Sequence, residues 1–238
     1  MSSPVVKSRA KELIARIERF SSPVFKKQMK ERFGICTEKA VGTPVTTLRL
    51  LLKGLPRPDH ELALALWKSD IHEARIMASM LADPDQITRD TLDEWVQNIN
   101  SWDLCDACCC NLFSKVKNPV KLAERWIKKE NEFVRRAGFA ILACLAMPRA
   151  KTPDSTLLKM LPFIKNHSCD QRPMVHKAVN WALRNIGKKN PRLTPMAIKC
   201  SYEILDLYPD NRCAVWVAKN ALWELNSPKI KAMIAKRK

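Results

Sequence analysis

Phe133-Val134-Arg135-Arg136-Ala137-Gly138-Phe139-Ala140 lines up with Met174-Val175-His176-Lys177-Ala178-Val179-Asn180-Trp181, and again with Ala214-Val215-Trp216-Val217-Ala218-Lys219-Asn220-Ala221. The offsets are 41 and 40 residues. A period near 40 is that of helical-hairpin repeats, in which no unit can bury its apolar face alone and each stacks on its neighbours into a solenoid. The recurrent Val and Ala are the expected close-packing slots. This stretch decides the fold class: all-α, a right-handed α-solenoid of hairpin repeats.

The rest of the chain agrees with that reading. Leu13, Ile14, Ile17 and Phe20 form a first helical stripe, and Pro23 opens the next segment. Leu62, Leu64, Ala65, Leu66 and Trp67, then Ile71, Ala74, Ile76, Met77 and Met80, read as two short helices parted near Asp70, and Asp83-Pro84-Asp85 closes the pair. No stretch shows the sustained alternation of a half-buried strand. Only five glycines occur in 238 residues, few for a sheet-rich domain or a phosphate loop, both of which need residues tolerant of positive φ. Neither GxGxxG nor GxxxxGKS/T is present. Repeats of this length point to HEAT-like hairpins. No Gly-, Ser- or Pro-rich linker splits the chain, so one domain is expected over residues 1–238, with N-terminal helices in 1–33. A basic tail, 226–238, carries Lys229, Lys231, Lys236, Arg237 and Lys238.

Lys and Arg number 42 against 24 Asp and Glu, a net charge of +18. An excess of this size implies an anionic partner, because clustered cations release condensed counterions from nucleic acid. Met1 to Lys11 lacks the apolar segment of a signal peptide, and no run approaches 18 apolar residues, so a cytoplasmic chain without a membrane partner is expected. The sequence gives no sign of an oligomer, and a monomer is expected. The nine cysteines, Cys36, Cys105, Cys108, Cys109, Cys110, Cys144, Cys169, Cys200 and Cys213, are then most simply reduced thiols. Cys105-x-x-Cys108 has ligand spacing but no second pair to complete a zinc site, and no metal is expected. His72-Glu73-Ala74-Arg75 lacks a zincin's second His, which leaves a helix-surface or hydrogen-bonded His.

Three places could carry chemistry. Trp102 and Asp106 are four apart, so one helical face presents an indole beside a carboxylate; a core Trp and an acid complementing the helix dipole fit the same spacing. Arg136 and Lys177 occupy equivalent repeat slots, which would line cations along one concave face, or else mark solvated helix ends. Lys177, Trp181 and Arg184 fall at i, i+4 and i+7, a stripe of cation, aromatic and cation suited to nucleic acid, although Trp181 reads equally as core.

Taken together, Glu61-Leu62-Ala63-Leu64-Ala65-Leu66-Trp67, His72-Glu73-Ala74-Arg75, Asn100-Ser101-Trp102-Asp103-Leu104-Cys105-Asp106, the run from Trp126 to Arg136 and the run from Lys177 to Arg184 resemble the DNA alkylation-repair glycosylases of the AlkD type. The resemblance extends from about Gly42 to Pro191. It implies a HEAT-like solenoid whose positive concave face holds duplex DNA containing an N3- or N7-alkylated purine, hydrolysis of the N-glycosidic bond and no cofactor. By the same resemblance Trp102 and Trp181 match the two indoles that pack on the lesion's deoxyribose, Asp106 the catalytic carboxylate and Arg136 a neighbouring cation that contacts DNA. Ala107-Cys108-Cys109-Cys110 departs from the family pattern. Two other classes fit the charge: a non-catalytic solenoid that binds duplex or branched DNA, and an adaptor for an acidic protein.

Overall fold

Side-chain caps punctuate the chain. Ser3, Ser22, Asp59, Thr88, Asn131, Asn211 and Ser227 each stand immediately before a helix and accept a hydrogen bond from a first-turn N–H, which satisfies donors that the helix leaves open. The structure, a computed structural model, describes residues 3–35 and 38–237. Met1, Cys36 and Lys238, which entered the readings of the N-terminus, the thiols and the tail, lie outside the described residues. Every regular element among the described residues is helical. The main-chain packing groups the chain into two compact units, residues 1–117 and 118–238.

The first unit contains α1 (Pro4–Arg19), α2 (Pro23–Glu31), α3 (Val45–Leu51), α4 (His60–Trp67), α5 (His72–Leu81), α6 (Arg89–Gln97) and α7 (Trp102–Cys108), which runs into a π-helical turn over Cys109–Phe113. Pro23 does open α2, at its first position. Of the first stripe, Leu13 and Ile17 are buried, while Phe20 caps the helix and is exposed. The expected break near Asp70 is present. Asp70 adopts φ 61°, the left-handed region that Asp tolerates better than most residues, and its carboxylate pairs with Arg75 at 2.7 Å. The same Arg75 lies 5.1 Å over the Trp67 ring, which is stacked on Trp95 with centroids 4.0 Å apart. A cation and two indoles thus lock α4, α5 and α6 together.

The second unit contains α8 (Pro119–Ile127), α9 (Glu132–Leu145), α10 (Asp154–Leu158), α11 (Leu161–Asn166), α12 (Pro173–Lys189), α13 (Leu193–Leu207), α14 (Arg212–Asn226) and α15 (Pro228–Ala235). The three aligned stretches fall on α9, α12 and α14, the second helices of successive hairpins. Helix α12 packs against both α9 and α14. The Ala slot of the repeat, Ala137, Ala178 and Ala218, is fully buried each time. The Val slot is buried at Val134 and Val175 but only half-buried at Val215. Gly138 marks the closest approach inside a hairpin: a Cβ there would sit 2.9 Å from the Ala123 carbonyl oxygen and 2.9 Å from the Ile127 nitrogen. Because both are main-chain atoms, Gly138→Ala is expected to force α8 and α9 apart and to lower stability by about 1–3 kcal/mol, read as a lower urea midpoint.

Candidate nucleic-acid interface

Helix α7 carries the first pair of candidate residues. Trp102 opens it half-buried, with Nε1 donating to the Phe33 carbonyl at 2.8 Å and the ring against a small cluster of Met29, Ile35, Ala40 and Phe25. Asp106 follows one turn later and is also half-buried. Behind this face Cys105, Cys108 and Cys109 are buried and Cys110 is half-buried. Burial pushes the Cys108 thiol well above its ordinary range, so these residues serve as small apolar packing.

Two adjacent residues of α5 make buried polar contacts that no local spacing announces, one of them to α7. His72, buried at the start of α5, places Nε2 2.8 Å from Asp103 Oδ2 on α7. The next residue, Glu73, is buried and accepts from the main-chain N–H groups of Val41, Gly42 and Thr43, at 2.7 Å for Gly42. Gly42 meets that carboxylate at φ 87°, and a Cβ there would stand 2.5 Å from the Ser22 oxygen. The hydrogen-bonded alternative for His72 is therefore the one observed. Its partner lies 31 residues away and Glu73's lie 30–32 away, with no local spacing to announce either. His72, Glu73, Trp102 and Asp103 also line an apolar cavity of about 170 Å³ within this unit.

In the second unit the predicted cations separate. Arg136 and Lys177 share a repeat slot but not an environment. Arg136 is buried, and its Nη1 donates to the Met174 carbonyl at 2.7 Å, which ties α9 to the first turn of α12. Lys177 is exposed and has no ion-pair partner among the described residues. The expected line of cations along one face is thus made up of one solvent-facing lysine and one buried guanidinium. The preceding Arg135 is spent on Asp170 at 2.9 Å and Glu130 at 2.9 Å. Asp170 also accepts from Arg172; burial pushes its carboxyl up, but Arg172 and Arg135 outweigh that and hold it at about 2.

The third candidate stripe keeps its register on α12. Trp181 is half-buried, one turn beyond Lys177. Arg184 binds Glu224 at 2.5 Å, and Lys188, one turn further, binds the same carboxylate at 2.8 Å, so α14 offsets the charge of the far half of the stripe. Lys177 and Trp181 form its solvent-facing half. Formal charge is distributed unevenly between the units: residues 1–117 hold 18 Lys and Arg against 15 Asp and Glu, whereas 118–238 hold 24 against 9. No helix among the described residues is long and apolar enough to cross a membrane.

Stacked helical hairpins and an uneven distribution of formal charge define a basic helical-repeat protein. Comparison with known proteins makes this specific: the DNA alkylation repair enzyme family matches residues 13–207, most of the chain, and the protein belongs to that family. The match reaches well beyond the segments that carried the sequence resemblance on both sides. Among solved structures, the chain is similar to one described as "A new family of proteins related to the HEAT-like repeat DNA glycosylases with affinity for branched DNA structures", at TM-score 0.72 and 20% identity, covering 81% of this chain and 82% of that one. The fold is therefore that of the HEAT-like repeat DNA glycosylases. No curated protein matches the chain.

The His72 contact has a measurable signature. Burial raises the Asp103 carboxyl, but the hydrogen bond and charge of His72 outweigh it, so the folded-state pKa lies below the ordinary value of 3.8. A depressed carboxylate adds stability that is present above its unfolded pKa and lost as pH falls through the folded one. Asp103→Asn is expected to be less stable than wild type at pH 7, with the gap closing below about pH 4. Urea unfolding of both proteins at pH 7 and pH 3 checks this.

Proposed function

We propose that the protein is a monofunctional alkylpurine DNA glycosylase that acts on duplex DNA containing N3- or N7-alkylated purines and leaves an abasic site. The observation that carries the reading is α7: a half-buried carboxylate, Asp106, one turn from an indole, Trp102, whose ring is fixed by its own N–H on Phe33. A phosphate-binding helix has no use for an acid at that position. Membership of the DNA alkylation repair enzyme family supports the same conclusion.

The chemistry needs little from the protein beyond charge placement. Alkylation at N3 or N7 makes the purine cationic, so it departs as a neutral base and requires no general acid. Positive charge then develops at C1′ and O4′ of the sugar. A fixed carboxylate at that point stabilises the transition state more than the ground state, and can orient the attacking water. Asp106 takes this part. Trp102 and Trp181 offer aromatic faces whose negative quadrupole favours a cationic sugar. Lys177 neutralises phosphate, Arg184 is a weaker contributor because Glu224 already holds it, and Arg136 acts by fixing the first turn of α12.

A second reading has its own support. The similar solved structure is described as having affinity for branched DNA, and here the Trp102 N–H is already engaged; both suit a protein that binds branched DNA without cleaving it. Incubation with duplex DNA carrying N7-methylguanine separates the two. Free base and abasic sites are expected from the wild type, and Asp106→Asn should release base on the order of 10²–10³ times more slowly while still binding DNA. Undiminished release by Asp106→Asn would overturn the role given to that residue. Absence of release by wild type, with tight binding of a four-way junction, would favour the second reading.

Affinity is expected to fall steeply with salt, log K against log salt sloping at about −0.9 per phosphate neutralised. Lys177→Ala should lower affinity uniformly across DNA sequences and reduce that slope by about 1, measured by fluorescence anisotropy over a salt series.

A further inference from the structure

Helix α14 lies beyond the family match, which ends at residue 207. Its outward face is unlike those of the other helices. Arg212, Trp216, Lys219 and Trp223 stand at i, i+4, i+7 and i+11, one straight stripe, and all four are exposed. Trp216 is 42% and Trp223 75% exposed, in a protein whose other described indoles are buried or half-buried. Leaving two large aromatic side chains in water is unfavourable unless something covers them.

The surroundings say what. From Arg212 to the end of the sequence there are seven Lys and Arg and a single acid, Glu224. That acid is turned away onto Arg184 and Lys188. Neither Arg212 nor Lys219 has an ion-pair partner among the described residues. Lys229 and Lys231 on the following helix, α15, are exposed as well. The nearest acids in the chain, Asp206 in the last turn of α13 and Asp210 in the α13–α14 connection, precede Arg212. The Trp216 ring is held in place edge-on by His176, with centroids 5.3 Å apart.

We propose that this face binds single-stranded DNA, the indoles of Trp216 and Trp223 stacking on unpaired bases and Arg212 and Lys219 holding the intervening phosphates. Sequence-tolerant stacking on aromatic side chains within a cationic groove is how proteins grip unpaired strands. The spacing fits. Seven residues of helix put the two indoles about 10 Å apart, and a stacked strand advances about 3.4 Å per base, so the stripe spans roughly three base steps with Lys219 between its ends. Paired bases keep their faces inside the duplex and offer the indoles nothing to stack on. An acidic protein would meet the cations but leave two bare rings unaccounted for.

The test uses the full chain and an oligothymidylate of about ten nucleotides, a length within the range of single-strand sites. Titration is expected to quench tryptophan fluorescence, and a double variant, Trp216→Ala with Trp223→Ala, should bind at least about 30-fold more weakly by anisotropy. Lys219→Ser should reduce the salt slope by about 0.7. Blunt duplex binding and release of N7-methylguanine should match wild type in the double variant, since neither residue belongs to the machinery assigned above. Unchanged oligothymidylate affinity in the double variant would overturn the proposal. So would a wild-type dimer in sedimentation that the double variant abolishes, because the face would then join two copies of this chain. A parallel loss of base release would do the same, by assigning the stripe to the duplex site. Oligomer binding does not depend on glycosylase activity, so the two readings fail separately.

Discussion

A hairpin of two helices with one apolar face cannot stand by itself, and in residues 118–238 the remedy is close contact through one small side chain. Ala137, Ala178 and Ala218 are fully buried, and a larger residue there would hold the stacked helices apart. Approach that close strips water from main-chain and side-chain polar groups, which must then find partners. They find them across the stack: Arg136 reaches the Met174 carbonyl, Asn180 the Val217 carbonyl at 2.9 Å and Asn185 the Ala143 carbonyl at 3.0 Å. These bonds form only in one alignment. Alanine sets how near the helices come, and the long polar side chains then set their register.

Cations in one repeat slot differ in their access to solvent: Arg136 is buried and bonded to the Met174 carbonyl, whereas Lys177, in the equivalent slot, is exposed. The basic excess nevertheless belongs overwhelmingly to the second unit, 24 cations against 9 acids, while the first unit is nearly balanced.

What the sequence made legible was whatever repeats or is local. The 41- and 40-residue offsets announced the hairpins, the break at Asp70 announced two helices, and Pro23 announced the start of one. The spacing of Trp102 and Asp106 on one helix could be read without a structure. Contacts between residues far apart could not be. Nothing near His72 signals Asp103, nothing near Glu73 signals the N–H groups of residues 41–43, and nothing near Arg184 signals that Glu224 would hold it. Nor does repeat position announce that Arg136 is buried while Lys177, in the equivalent slot, is exposed. Spacing alone does not separate the α14 stripe from a core face either: Trp216 and Trp223 fit a buried helix face as well as the exposed one they occupy.

The cysteines behind α7 have a bearing on survival. Electrophiles that alkylate purines also alkylate thiolates, and a low-pKa exposed cysteine is their preferred protein target. Cys105, Cys108 and Cys109 are screened from solvent, and Cys108 is held in its protonated, unreactive form. The segment that carries Asp106 can therefore hold three thiols without offering such electrophiles an exposed thiolate there.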